Sequence, residues 1–528
     1  MAPEGMDRRT FIASAGAAGA GALILGGVPV GAGARRRRGV FVAKTGSFPQ
    51  GVGSGEPTTR GITLWTRLGG YNLDRKLFLE VSDDPGFGKV LYRRNVIARA
   101  STDHTVNVHL TRQKFLKPGE QLFYRFETRE SHSPVGRFRL ARPKDSREPV
   151  KIAFFSCQDW QAGYYGAHRT IAEIDDLDLV LCVGDYIYER NFYEGPRHDT
   201  LGANGDGEVQ TLEEYRAKYQ LYKGDANLQA MHAAHPFMGG IDDHEVEDNW
   251  AGDEEGEKVM DRRLPFERRR ANGLDAWFEY MPFRRFRGLG NRTYRRFPLG
   301  RTAEVFIIDS RSHREDQPCG DQLFVPCPEA EDPGRAFLGR EQKEWLKDGL
   351  ATSPASWKLV GNQLMMMSLD IGGAPANKDS WDGYGGERRE ILEHVAERGA
   401  QDIAFLTGDI HAFFAGEVGV DGRGPESVAT DFVGGSISSL GVGETVEEAS
   451  APGTSGPANA LAPGTVLSNN PHIKYAETSS RGYGLLTATE QDLQVELRGV
   501  DALRETGAEA RTLARFRVER GNPRVEIL

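Results

Sequence analysis

Positive charge, cysteine and uninterrupted apolar sequence are all in short supply, and each shortage closes off a class of function. Acidic side chains outnumber basic ones, 76 to 66, for a formal net charge of −10. Nucleic-acid binding, which needs clustered Lys and Arg against phosphate backbones, is therefore not expected. Phosphate esters stay possible if metals supply the local positive charge. The segment running to Val30 is Ala/Gly-rich and weakly apolar, is broken by Pro29 and is followed by no stop-transfer pattern, so a permanent membrane anchor is not expected. Four cysteines in 528 residues leave stability to the hydrophobic core, which a chain of this length, predicting at least two domains, can build amply. No Ser or Cys lies in a nucleophile context, which argues against a covalent phosphoenzyme, and no internal repeat stands out.

What is present begins with an address. Asp7-Arg8-Arg9-Thr10-Phe11-Ile12 reads as a twin-arginine signal, with a cleavage site at Ala32-Gly33-Ala34. Residues 1–34 are thus expected to be a signal peptide, the twin-arginine machinery a partner, and the mature protein secreted, extracellular or periplasmic. Cys319 and Cys327 flank a short segment, and in an exported protein a disulfide closing that loop is expected. Cys182, inside an apolar run, reads as a small core residue.

Along the chain the hydrophobic period changes once. Within 40–142, the segments Ile62–Thr66, Lys76–Val81, Val90–Arg94, Thr105–Leu110 and Gln121–Glu127 alternate apolar with polar between turn signals, which suggests an immunoglobulin-like β-sandwich. A polar, proline-punctuated linker follows at Arg142–Pro149. From 150 to 528, apolar strands (Ile152–Phe155, Leu177–Val183, Trp357–Leu364, Ile403–Leu406) alternate with helical stretches (His168–Ile174, Glu213–Ala234, Arg263–Tyr280, Gly339–Leu350, Gly386–Arg398), the pattern of an α/β layered sheet. Gly434–Gly464 reads as a long loop. Strands at Gly482–Thr487, Gln494–Arg498 and Leu513–Arg520 are expected to extend the catalytic sheet.

The chemistry gathers where apolar runs end. Ser156-Cys157-Gln158, Gly184-Asp185-Tyr186-Ile187-Tyr188 and Gly408-Asp409-Ile410-His411 each follow a buried strand, and Asp242-Asp243-His244-Glu245 follows a loop. Open α/β sheets build their sites at such carboxyl ends, and buried acids are costly unless paired or metal-bound. Two adjacent metals need a bridging carboxylate, for which Asp185 is the best candidate, since Gly184 lets the backbone turn closely beneath it. Cys157 thiolate, Tyr188 phenolate and His411 imidazole form a set suited to ferric iron. Asp409, Asn249 and Asp242 or Asp243 offer hard oxygens suited to calcium or magnesium. Singly, each has a plainer reading: Cys157 a core thiol, Tyr188 a packing aromatic, Asp185 a helix cap, His244 a partner for backbone groups. His168, His232, His235 and His313 read as structural or surface histidines.

Seven ordered segments, the four above with Asp225-Ala226-Asn227-Leu228, Asp379-Ser380-Trp381-Asp382-Gly383-Tyr384 and Asn470-Pro471-His472-Ile473, together resemble the PhoD-type alkaline phosphatases from about Gly51 to the C-terminus. The resemblance implies a four-layer α/β/β/α metallophosphoesterase core behind the N-terminal sandwich, with Fe(3+) held by Cys157, Asp185, Tyr188 and His411, and Ca(2+) by Asp185, Asn249 and Asp409. Asp248, where the family often has Asn, and Gly240-Ile241, in place of Thr-Trp, depart from the pattern. Hydrolysis in one step is expected: water whose pKa the metals lower attacks phosphorus in line, with Asp242 and Asp243 beside the reacting centre, and His244 orients the phosphate or protonates the leaving oxygen. The substrate is a small phosphate ester or, as in some secreted members of the family that act as phospholipases D, a phosphodiester such as a phospholipid. A secreted binding protein with an inactive metal-bound domain and a ferric redox enzyme are the rival classes, and turnover of a chromogenic phosphate ester separates them.

Overall fold

The computed structural model describes residues 40–256, 259, 261–286, 291–424, 426–442 and 461–528. The expected signal peptide and most of the expected Gly434–Gly464 loop lie outside the described residues. Gly434 itself closes a strand, Ser427–Gly434, and Gly464 lies in a helix, Pro463–Asn469.

Two sheets stack face to face. One has ten strands in the spatial order Glu526–Ile527, Arg511–Glu519, Asp492–Gly499, Gly482–Ala488, Val150–Phe155, Leu179–Cys182, Pro236–Gly239, Val52–Thr58, Gly61–Arg67 and Thr105–Thr111. The other has seven: Arg295–Leu299, Ala303–Ile307, Trp357–Asn362, Ile403–Thr407, Ser427–Gly434, Phe413–Gly419 and Ile473–Glu477. The central strands of each are parallel, which requires crossover connections and leaves both faces covered.

Alternation along these strands sorts the side chains into layers. Ile152, Phe154, Leu179, Leu181 and Met238 point between the sheets and meet Val305, Ile307, Leu359, Ala404, Leu406 and Phe432. Their neighbours Ala153, Phe155, Val180, Cys182 and Phe237 face outward onto helices Gly166–Ala172, Leu212–Tyr222, Ala226–Ala234 and Phe266–Tyr280. On the far side Phe306, Val360 and Phe405 pack against helices Gly339–Thr352 and Gly385–Glu397. The result is the four-layer α/β/β/α order.

The N-terminal sandwich differs from an isolated one. Its outer sheet is the four strands Val90–Ala98, Arg75–Ser82, Gln121–Glu127 and Gly136–Arg139, whereas Val52–Thr58, Gly61–Arg67 and Thr105–Thr111 belong to the ten-stranded sheet. Ile62 and Leu64 fill the sandwich core with Leu77, Leu79, Tyr124 and Phe138, while Trp65 points the other way and donates to the Glu279 carbonyl at 2.8 Å. One sheet thus serves both modules, because period-2 alternation gives each strand a face for each.

The expected helix Glu213–Ala234 is two helices. Lys223-Gly224-Asp225 interrupts it, and the Asp225 carboxylate caps the second by accepting from the amides of Asn227 and Leu228.

Candidate metal centre

All four expected loops, and a fifth, arrive at the carboxyl ends of the parallel strands. Cys157 follows Val150–Phe155, Asp185 and Tyr188 follow Leu179–Cys182, Asp242 to Asn249 follow Pro236–Gly239, and Asp409 and His411 follow Ile403–Thr407. Asp309-Ser310-Arg311 follows Ala303–Ile307.

The backbone at these positions is unusual. Cys157, Asp185, Asn249, Asp409 and His411 all have φ between 51° and 64°. Left-handed conformations at non-glycine residues cost of order 1 kcal/mol or more each and cluster at functional sites, where the turn aims a side chain that regular structure cannot. Gly184 (φ 131°) makes the turn before Asp185 possible, since a Cβ there would lie 2.5 Å from the Asp242 Cβ.

Asp185 occupies the junction. Three sets of side chains bring their ligand atoms within 4.8 Å of one another, Cys157 with Asp185 and His411, Asp185 with Asp243 and His244, and Asp185 with Asp242, Asp243 and Asp409, and Asp185 is the member they share. Cys157 Sγ lies 3.4 Å from Asp185 Oδ2, and Tyr188 Oη lies 3.5 Å from the same oxygen and 3.0 Å from His411 Nε2. The other oxygen, Asp185 Oδ1, is buried without a hydrogen-bond partner. No helix starts at Asp185 among the described residues, so the capping role that its position after Gly184 also allowed is not what it does. Asn249 is tied to the acidic set through its amide, which donates to Asp243 Oδ2 at 2.7 Å.

Electrostatics make the same point. Burial, reinforced by Asp243, Asp242 and Glu245, pushes the Asp185 carboxyl far above the usual carboxylate range. Burial with Asp379 and Asp243 raises Asp409 to about 7, and burial with Asp243 and Asp409 raises Asp242. Asp243 is held low because Arg311 and His244 overcome its burial, and Asp379 because Arg311 and Arg314 do. Such a cluster cannot ionise fully by itself, and a cation among the oxygens removes that obstacle. On the other flank burial raises Cys157 and Tyr188 and drops His411 to about 4, a neutral imidazole whose Nδ1 contacts the Leu440 carbonyl at 2.8 Å and leaves Nε2 for the site. The donor set and the unpartnered Asp185 oxygen fit a metal centre.

His244 is held differently. Its Nδ1 meets Glu189 Oε2 at 2.8 Å and its ring stacks on Tyr188 with centroids 4.1 Å apart. Burial opposes its charge, yet Asp243, Asp185 and Glu189 outweigh that and keep the imidazolium well above its ordinary range. Asp248, one of the departures from the resembled pattern, has its added charge met by Arg190 at 2.9 Å.

Sequence reasoning missed the clamp behind the acids. Arg311, fully buried, contacts Asp242 through Nε, grips Asp379 with both terminal nitrogens at 2.9 and 2.8 Å, and lies 3.6 Å from Asp243. Asp379 also accepts from Arg314 at 2.9 Å and Gln317 at 2.6 Å. Glu245 accepts from the amides of Asp185, Tyr186 and Asp242, fastening two loops together. The apolar run Val305–Ile308 ending in Asp309-Ser310-Arg311 was the signal that could have found Arg311. The expected pair Cys319 and Cys327 are joined as a disulfide, and their loop reaches the site: Asn249 Nδ2 lies 3.3 Å from Asp321 Oδ2, while Gln317, just before the loop, donates through Nε2 to the Asn249 carbonyl at 2.9 Å. His168, His232 and His235 are buried against Gln158, Tyr186 and the Ile171 carbonyl.

Comparison with known proteins agrees with this geometry. The PhoD-like phosphatase family profile matches residues 152–497, and that of the PhoD-like phosphatase N-terminal domain matches residues 34–142. The chain is 32% identical to alkaline phosphatase D of Bacillus subtilis (strain 168), over 97% of this chain and 87% of that protein. Its fold superposes on the solved structure of PhoD with a TM-score of 0.79 at 30% identity, covering 91% of this chain and 92% of that one. Purple acid phosphatase PPD1 from yellow lupin (Lupinus luteus) shares the fold alone, with a TM-score of 0.51 at 12% identity over 89% of this chain and 73% of that one. On these matches the chain belongs to the PhoD-like phosphatases, hydrolases of phosphoric esters.

Proposed function

We propose that this phosphoesterase is a two-metal enzyme of the alkaline phosphatase D type, with Fe(3+) held by Cys157, Asp185, Tyr188 and His411 and Ca(2+) by Asp185, Asn249 and Asp409. The observation that carries the reading is Asp185, shared by the three ligand clusters at the strand ends with one buried oxygen unpartnered. When bound, such a metal pair lowers the pKa of water and neutralises phosphoryl oxygens. The chain's own residues do the rest. Asp242 and Asp243, backed by Arg311, fix the position of the acidic wall beside Asp185. His244, kept charged by Asp243, Asp185 and Glu189, donates its proton to the leaving oxygen. Glu245 holds the Asp185 and Asp242 loops in register, so the geometry exists before substrate arrives.

A twin-arginine leader at 1–34, delivering the folded, metal-loaded enzyme outside the cytoplasm, suits this chemistry and the Cys319–Cys327 disulfide. Among the described residues no helix is long and apolar enough to cross a membrane.

The test is a hydrolysis panel of monoesters, diesters and phosphatidylcholine with calcium supplied, run beside elemental analysis. Iron and calcium in near-equal amounts with preference for monoesters is the expected result, and preference for phosphatidylcholine would reassign the substrate to phospholipids. His244→Gln should slow alkyl phosphates far more than 4-nitrophenyl phosphate, whose leaving group needs no proton. Equal losses on both would remove His244 from the acid role.

A further inference from the structure

One cavity is lined by none of the residues of the candidate metal centre. It has a volume of about 260 Å³ and sits where the Val52–Thr58 strand of the ten-stranded sheet meets the Arg295–Leu299 edge strand of the seven-stranded one, with Trp345 of helix Gly339–Thr352 on its wall. Its lining combines guanidinium groups with aromatic rings: Arg284, Arg292 and Arg295 beside Tyr294 and Trp345, with Glu56 as the carboxylate among the lining residues.

The charges do not balance. Glu56 pairs with Arg295 and accepts the Arg284 amide at 2.9 Å. That pairing leaves Arg295 Nε and Nη2, on a side chain only 8% exposed, without acceptors. Among the described residues no carboxylate lies within ion-pair distance of Arg284 or Arg292. Arg284 lies 4.7 Å over Phe286, and Arg292 lies 4.1 Å over Tyr294 and 6.0 Å from Trp345. A buried guanidinium with unfilled donors is costly, and burial lowers the Arg295 pKa to about 9. Glu56 is strained as well, with φ 53° at the irregularity between Gly55 and Thr58. Buried Arg295 donors, with exposed Arg284 and half-buried Arg292 beside flat rings, match an anionic group on a planar one, because Arg forks onto carboxylate or phosphate and rings stack on rings.

We infer that this cavity binds a small organic anion carrying a single aromatic ring, its carboxylate or phosphate taken by Arg295, Arg284 and Arg292 and its ring laid against Trp345 and Tyr294. The site is separate from the metal centre and is occupied independently of it.

The experiment is calorimetric titration of the metal-loaded enzyme with benzoate, phenylphosphonate and inorganic phosphate, with Trp fluorescence read in parallel. Expected are saturable benzoate binding at one site per chain with fluorescence quenching, a further phenylphosphonate equivalent at the same site, and much weaker binding of phosphate there. Arg292→Ala should weaken benzoate binding about tenfold, and Arg292→Lys less. Both should leave kcat on 4-nitrophenyl phosphate and Tm unchanged, and Trp345→Phe should remove most of the quench. In Asp185→Asn, benzoate binding should persist unaltered. Absence of saturable benzoate binding, binding indifferent to Arg292→Ala, or binding lost with Asp185→Asn each overturns the inference. Phosphate binding as tightly as benzoate in this cavity would overturn its aromatic half.

Discussion

The two flanks of the proposed metal centre are held by different physics. Around Cys157, Tyr188 and His411 burial disfavours charge and the constraint is shape: left-handed turns at Cys157 and His411, stacking of Tyr188 on His244, and contacts of His411 with the Leu440 carbonyl and of Ser439 with the Tyr188 hydroxyl. Around Asp242, Asp243 and Asp409 the groups are acids and the constraint is opposite charge, with Arg311 bridging Asp242 and Asp379. Ligands held by packing should fail locally when one is removed, whereas a charge clamp should fail as a unit, since breaking it strands its partners in a low-dielectric interior.

The sharpest test strikes the residue common to both flanks. Asp185→Asn should cost more than the roughly hundredfold that loss of an outer partner costs, and should deplete calcium first, then iron. Measured kcat and bound metal near wild-type values would end the bridging assignment. Exhaustive calcium chelation comes next: activity should vanish while the visible ferric absorption largely stays, because hard oxygen ligands release their ion more readily than thiolate, phenolate and imidazole do. Undiminished turnover after chelation would sink the mixed-metal reading.

Arg311→Met should destabilise the protein by about 3–5 kcal/mol, the usual cost of leaving buried charges uncompensated, and Tm should fall with it. By contrast, Cys157→Ala should lower iron content and activity together while Tm changes little. If the two variants showed the same Tm, the contrast between charge clamp and packed ligands would be wrong. The smallest effect should come from the rim. Reducing the Cys319–Cys327 disulfide frees the segment whose Asp321 and Gln317 contact Asn249, and calcium affinity measured by titration should drop about tenfold.

The soft flank was legible in the sequence because each of its residues sits directly behind an apolar run that reads as a buried strand. The hard flank was half legible. Asp409 followed the same rule, but Asp242 read as following a loop although the strand Pro236–Gly239 precedes it, and Arg311 pairs with Asp379 across 68 residues, a contact that no local spacing records. The N-terminal sandwich was readable from period-2 alternation in Gly61–Arg67 and Thr105–Thr111. Val52–Thr58, with two glycines and a proline in seven residues, carries little strand propensity, and its place in the large sheet is decided by partners on either side. The helix break at Gly224 was visible as a Gly-Asp pair and was overridden by the helical composition around it.

That shared sheet also bears on when the molecule can come into being. Val150–Phe155, at its centre, needs Gly482–Ala488 as a neighbour, with Phe154 registered against Gly484, and Val52–Thr58 needs Pro236–Gly239. Native pairings between residues so distant in sequence pay a large loop-closure entropy before they return any contact, which slows folding. A ribosome presents the early strand long before its late partner exists, so the emerging chain holds unpaired apolar edges throughout synthesis. The enzyme can complete its sheet, and with it the platform for the loops of the proposed metal centre, only after the strands from Gly482 to Ile527 are made.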